Sequence, residues 1–177
     1  MADTKDWTWV LREPCPECGF DTASLERDRV GDALRSANDR LIALLGGDSD
    51  VRRRPGADVW SALEYGCHVR DVHRLYLRRL RLMLDEDAPR FENWDQDATA
   101  IESHYDKADL DQLIADLTTD GERLAAAFDA VRPDEWDRTG LRSDGALFTV
   151  ASFGKYLVHD PTHHVWDVQQ GFAHLRA

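Results

Sequence analysis

The sequence predicts an all-α protein: a four-helix bundle with an irregular N-terminal arm. Two observations predict it. Four stretches carry apolar residues at spacings of three and four, each long enough for a helix of about twenty residues. Alternation of period two is nowhere sustained long enough to build a sheet. Helices that each hold one apolar stripe must bury it against one another, and a bundle does so with the fewest elements. A chain of 177 residues fits one domain and can bury a core without disulfides. The organisation expected is an arm over residues 1–22 with a Cys-x-x-Cys turn, then the bundle over residues 23–177.

Residues 1–20 have no sustained period and read as an extended arm or loop. Asp21 and Thr22 are capping residues ahead of the first helix, expected over 23–45. Its stripe is Leu34, Ala37, Leu41, Leu44 and Leu45, and Gly46 and Gly47 stop it. The second helix starts near Trp60 and Ser61 and runs to about Leu84, with Tyr65, His68, Val72, Leu75 and Leu82 on one face. A long connection containing Pro89 follows and has the length to cross the bundle; a short helix over 98–106 lies within it. The third helix is marked by Leu110, Leu113, Ile114, Leu117, Leu124, Phe128 and Val131. Turn residues crowd "RPDEWDRTGLRSDGALF", where a brief hairpin fits. The fourth helix spans about Thr149 to Gln170.

Composition narrows the function. The formal net charge is −12, so the chain as a whole repels a phosphate backbone, which argues against nucleic acid as a partner. No apolar run reaches eighteen residues and the first ten are polar, so neither a membrane span nor a signal peptide is expected; the cytoplasm is the default location. Lysine occurs only at Lys5, Lys107 and Lys155, and this arginine bias suggests a GC-rich bacterial genome. A small-molecule substrate and a monomer or homodimer are the expectations that remain.

Two segments carry metal-binding chemistry. In "VHDPTHHVWDV", His159 and His163 are four residues apart, which on a helix puts both rings on one face. His68 lies on the core stripe of the second helix. Three histidines from two bundle helices make an open site, the layout of a catalytic centre rather than a closed structural one. His164, one residue beyond His163, is turned from it by roughly 100°; the spacing favours His163, and both registers remain open. Glu64, one turn before His68, and Asp167, one turn after His163, are the candidate catalytic carboxylates, as acceptors that fix an imidazole tautomer or as a further ligand. Pro161, between the two histidines, predicts a kink or a freed carbonyl. The other segment, "EPCPECGFD", holds Cys15 and Cys18, half of a zinc knuckle. A second half would have to come from His73, His104, His164 or His174. The reading preferred for it is a tight turn, with Gly19 at the bend and Asp21 as cap, packing Trp7 and Trp9 onto the bundle.

The segments "WSALEYGCHVRDV" and "HDPTHHVWDV" resemble the DinB-like superfamily of four-helix-bundle metalloproteins, and in particular its thiol-dependent S-transferases. The resemblance covers roughly residues 23–172. It implies a divalent ion, zinc or nickel, on His68, His159 and His163. It also implies a low-molecular-weight thiol as co-substrate, of the mycothiol or bacillithiol type, with mycothiol favoured by the composition. A thiol held by the ion is deprotonated and can attack a small electrophile. Trp60, Trp94, Asp95, Asp97, Tyr105 and Arg70 are candidate substrate contacts, with "ENWDQDA" as a lid. Two other readings stand beside this one: a non-catalytic metal- or small-molecule-binding bundle, and a metal-dependent hydrolase.

Overall fold

A computed structural model describes residues 7–177; the expectations for the first six residues lie outside it. Four long helices form the bundle: α1 (Val30–Gly47), α2 (Ala62–Asp85), α4 (Leu110–Asp129) and α5 (Val150–Leu175). A short helix, α3 (Gln96–Glu102), and a 3-10 turn at Tyr105–Lys107 lie between α2 and α4. α1 packs on α4 and α5, and α2 packs on the same two helices, while α1 and α2 touch little. Helices consecutive in sequence therefore sit across the bundle from each other at α1–α2. The long connection after α2 leads instead to a neighbour, α4.

The first helix begins later than residue 23. Residues 22–29 form two 3-10 turns, Thr22–Ser24 and Arg27–Arg29, before α1 starts at Val30. The segment "SLERDR" is too polar to continue the apolar stripe, so only the residues from Val30 onward are buried as a helix face. Asp21 does cap, but it caps the first of these turns by accepting from the Ala23 N–H at 2.9 Å. The arm is likewise more ordered than an extended strand: Trp7–Leu11 is a 3-10 turn and Val10 is fully buried. α5 runs unbroken through Pro161.

Short strands add a small sheet. β1 (Arg90–Phe91) pairs parallel with β2 (Thr139–Arg142), which pairs antiparallel with β3 (Leu147–Thr149). The hairpin expected in this region is β2–β3; β1 joins it from a segment with no alternation to announce it. The core falls into two apolar groups. One gathers Leu34, Tyr76, Leu80, Phe128, Phe148 and Phe153 around the sheet. The other gathers Leu41, Leu45, Leu63, Leu113, Leu117 and Val165 at the opposite end. A Cβ on Gly154 would lie 2.9 Å from Phe128 and 3.1 Å from Val30, so this glycine lets α5 approach α1 and α4 closely. No helix among the described residues is long and apolar enough to cross a membrane.

Candidate metal centre

The site lies where α2 and α5 face a cavity of about 860 Å³. The N-terminal arm (Trp7, Thr8), the loop before α3 (Asn93, Trp94, Asp95) and the β2–β3 turn (Asp144, Gly145, Ala146) complete its walls. Helix periodicity sets what each element presents. From α2, His68 and Tyr76 point inward, two turns apart; from α5, Tyr156, Asp160, His163 and His164 do so.

His68, His159 and His163 all line this cavity, but the ligand atoms that come close to one another fall into two clusters. His68, Asp160 and His164 offer ligand atoms that lie within 4.8 Å of one another. His159 and His163 are grouped in the same way with Cys15 and Cys18. In the first cluster His68 Nε2 is 3.4 Å from Asp160 Oδ2, and His164 Nε2 is 3.9 Å from Asp160 Oδ1. His164 is held from behind: its Nδ1 is 2.8 Å from Asp167 Oδ2, which leaves Nε2 as the free ring nitrogen facing Asp160. This carboxylate–imidazole contact is the device that orients metal-ligating histidines. Asp167, expected to fix an imidazole beside His163, lies closer to His164 than to His163, whose Nε2 is 3.9 Å away.

Aromatic rings fix His68. Trp94 stacks on it at 5.2 Å with 15° between planes, and Trp60 and His164 lie at 5.6 and 4.7 Å. Burial would lift the Asp160 carboxyl, but the charges of His68 and His164 and the contact with His68 hold it below the ordinary carboxylate range. Burial would lower His164, yet Asp160 and the bond to Asp167 raise it. Asp160 is thereby kept as an anion, the form a cation requires. Asp160 Oδ1 is buried with no hydrogen-bond partner. A buried carboxylate oxygen without a partner is costly, and a divalent ion between two imidazoles would supply one. Two imidazoles and a carboxylate suit a divalent transition metal and leave coordination positions toward the cavity.

Glu64 stands apart. Its carboxylate accepts from Ser61 N–H and Ser61 O–H, both at 2.8 Å, and from Arg54 Nε–H at 2.9 Å. With the return bond from Glu64 N–H to Ser61 Oγ this is a capping box at the start of α2. The expected catalytic part for Glu64 is therefore replaced by a structural one: its oxygens are occupied and it does not line the cavity. The signal was present in "SALE", a Ser followed three residues later by Glu. Of the expected substrate contacts, Trp94 and Asp95 line the cavity. Tyr105 instead donates to Asp71 Oδ2 at 2.6 Å, and Arg70 also binds Asp71. Sequence reasoning missed Asp160 as a candidate ligand and Arg79 and Arg142 as cavity walls. The signal for Asp160 was its own four-residue spacing to His164.

The sequence profile of the DinB superfamily matches residues 28–168. Comparison with curated proteins finds no match. Among solved structures the chain is similar to YfiT from Bacillus subtilis, described as a probable metal-dependent hydrolase with an unusual four-helix bundle topology. The TM-score is 0.76 at 19% identity, over 86% of this chain and 91% of YfiT. At that identity the likeness is one of fold. With the profile covering most of the chain, including the cavity-facing residues of α2 and α5, the chain belongs to the DinB superfamily.

Proposed function

We propose that the protein is a metal-dependent enzyme that transfers a low-molecular-weight thiol to a small electrophile, with the metal on His68, Asp160 and His164. The observation that carries the reading is the open cluster itself: three ligand groups converge at the wall of a cavity with Asp160 Oδ1 left without a partner. This replaces the ligand set implied by resemblance, in which His159 and His163 accompany His68. Bound there, a divalent ion would strip the proton from a coordinating thiol and leave it nucleophilic at neutral pH. The chain's own residues do the rest. Asp167 holds the His164 ring in register. Trp94, stacked on His68, closes the cavity beside the ligands and excludes water. Arg79 lines the far wall with no carboxylate partner among the described residues; its guanidinium rests 4.9 Å from the Phe91 ring and 5.6 Å from that of Tyr76. An acidic group on substrate or thiol would meet it there.

The likeness to YfiT, described as a probable metal-dependent hydrolase, favours a second reading, hydrolysis at the same site. One experiment separates them. Metal-loaded and metal-free protein are compared in a panel of thiols, mycothiol, bacillithiol and glutathione, with a generic electrophile, and in parallel with activated ester and amide substrates. Conjugation that requires the metal and is lost in His68→Ala supports the transferase. Identical loaded and metal-free rates with every thiol, beside metal-dependent hydrolysis, would replace it with the hydrolase.

A further inference from the structure

The Cys-Pro-Glu-Cys-Gly segment is a turn, as its residues require: Gly19 N–H donates to the Cys15 carbonyl at 2.9 Å, Cys15 N–H to the Phe20 carbonyl at 2.9 Å, and Gly19 has φ +73°. The turn does more than launch the next segment. It aims both sulfurs at α5, where His159 and His163 meet them. Cys15 Sγ lies 3.6 Å from His163 Nδ1, and the four ligand atoms are within 4.8 Å of one another. Both cysteines are free thiols.

The geometry points to a second metal site: Cys15, Cys18, His159 and His163 together form a closed tetrahedral site for zinc, separate from the open cluster and structural in role. Four observations carry this. First, the donor set is two thiols and two imidazoles, with two residues between the cysteines and three between the histidines, the spacings of structural zinc sites. Second, the distance fits. With Zn–S about 2.3 Å and Zn–N about 2.0–2.1 Å, a tetrahedron has an S···N edge of about 3.6 Å, the separation of Cys15 Sγ from His163 Nδ1. Third, His159 Nε2 is buried and has no hydrogen-bond partner. Fourth, the other nitrogen of His163 faces carboxylates, Glu17 at 3.5 Å and Asp167 at 3.9 Å. That is the outer support a ligating imidazole receives, and Glu17 comes from within the knuckle itself.

The surroundings suit a closed site. Trp7 lies 5.7 Å from the His159 ring and 5.3 Å from that of His163, Phe20 is 6.1 Å from His159, and Trp166 is 5.6 Å from His163. Four protein ligands fill a tetrahedron and leave no position for substrate. The role follows from where the ligands sit in the chain. The metal joins the N-terminal arm to α5, 141 residues further on from Cys18 to His159. The arm it fastens supplies Trp7 and Thr8 to the cavity wall. Zinc here would hold that wall in place beside the open cluster without touching the reacting groups.

The test uses the full chain and is chosen so that this site and the proposed catalytic one succeed or fail separately. Protein loaded with zinc should carry two equivalents. The variant Cys15→Ser with Cys18→Ser should lose one and keep the other, and His68→Ala with Asp160→Ala should show the converse. Loaded with cobalt(II), the wild type should display a thiolate-to-cobalt charge-transfer band that the cysteine variant lacks and the His68/Asp160 variant keeps. Cys15 and Cys18 of the wild type should resist alkylation until a chelator is added. The two wild-type measurements decide the matter even if a variant fails to fold. A cobalt protein without the thiolate band, both cysteines alkylated at the free-thiol rate in the loaded protein, or isolation with a Cys15–Cys18 disulfide would each overturn the inference. Loss of the second equivalent in the cysteine variant, with no loss in the His68/Asp160 variant, would uphold it and remove the catalytic site instead.

Discussion

Replacing Glu64 tests whether this buried carboxylate supports the fold or the chemistry. Its side chain is 4% exposed and satisfies the Ser61 N–H that opens α2. In Glu64→Ala that N–H loses its partner in a buried setting, at a cost of about 1–3 kcal/mol. The ion pair with Arg54 adds less. The Arg54 side chain is 45% exposed and returns to water, so the pair is treated as a surface one, about 1 kcal/mol or less. The sum is about 1–4 kcal/mol. For a chain of this length each kcal/mol moves Tm by about 2–4 °C, so a fall of roughly 2–16 °C is expected. Glu64→Gln keeps an acceptor for Ser61 and should lose about half as much. The pH dependence has a definite sign. Burial would raise the carboxyl, but the bonds from Arg54 and Ser61 outweigh it and hold it below its ordinary 4.5. Its stabilisation is thus present above pH 4.5 and disappears as pH falls through the depressed value. Urea melts between pH 7 and the acid limb should show Glu64→Gln lacking that part of the slope, with metal content unchanged. A Glu64→Ala protein that melts within a degree of wild type yet loses its metal would refute the structural assignment.

Two further outcomes are expected. His73 is fully buried on α2 with neither ring nitrogen partnered, and burial pulls it down to about 4 from its ordinary 6.5. The folded imidazole stays neutral while the unfolded one takes up a proton, so stability falls between pH 6.5 and about 4 by about 3 kcal/mol in all. His73→Leu should flatten that limb in denaturant melts without loss at pH 7; an unchanged acid slope would contradict the burial argument. Asp167→Asn removes the anion behind His164, and chelator competition should show the open cluster binding its ion about 10–100-fold more weakly, an expectation that equal affinity would defeat.

The bundle was legible because its four stripes are long and regular. Leu113, Leu117, Leu124 and Phe128 of α4 are all buried, as their spacing implies. Boundaries failed where local polarity overrode the period. "SLERDR" became 3-10 turns, and two-residue β1 carries too little sequence to declare itself. The order of helices around the bundle was also out of reach, because it depends on which stripe meets which, and an apolar stripe does not name its partner. Glu64 was misread for a different reason. A carboxylate one turn before a histidine serves equally as an outer ligand or as a capping box, and only Ser61, three residues earlier, separates the two.

The site was half legible, and the missing half lies in the phase of one helix. "HDPTHHVWD" contains two interleaved pairs at four-residue spacing, His159 with His163 and Asp160 with His164. They are turned by about 100° from each other and face different partners. Counting histidines alone exposes the first pair and hides the second, since a carboxylate in a helix usually faces solvent. His68 on α2 then joins whichever pair faces it, and the packing of α2 against α5 selects Asp160 and His164. His159 and His163 face the knuckle that the arm folds back to present. Asp167 lies within 4 Å of both His163 and His164. One carboxylate therefore stands behind a candidate ligand of each cluster, and were both to hold ions, a change in one would be felt by the other through it.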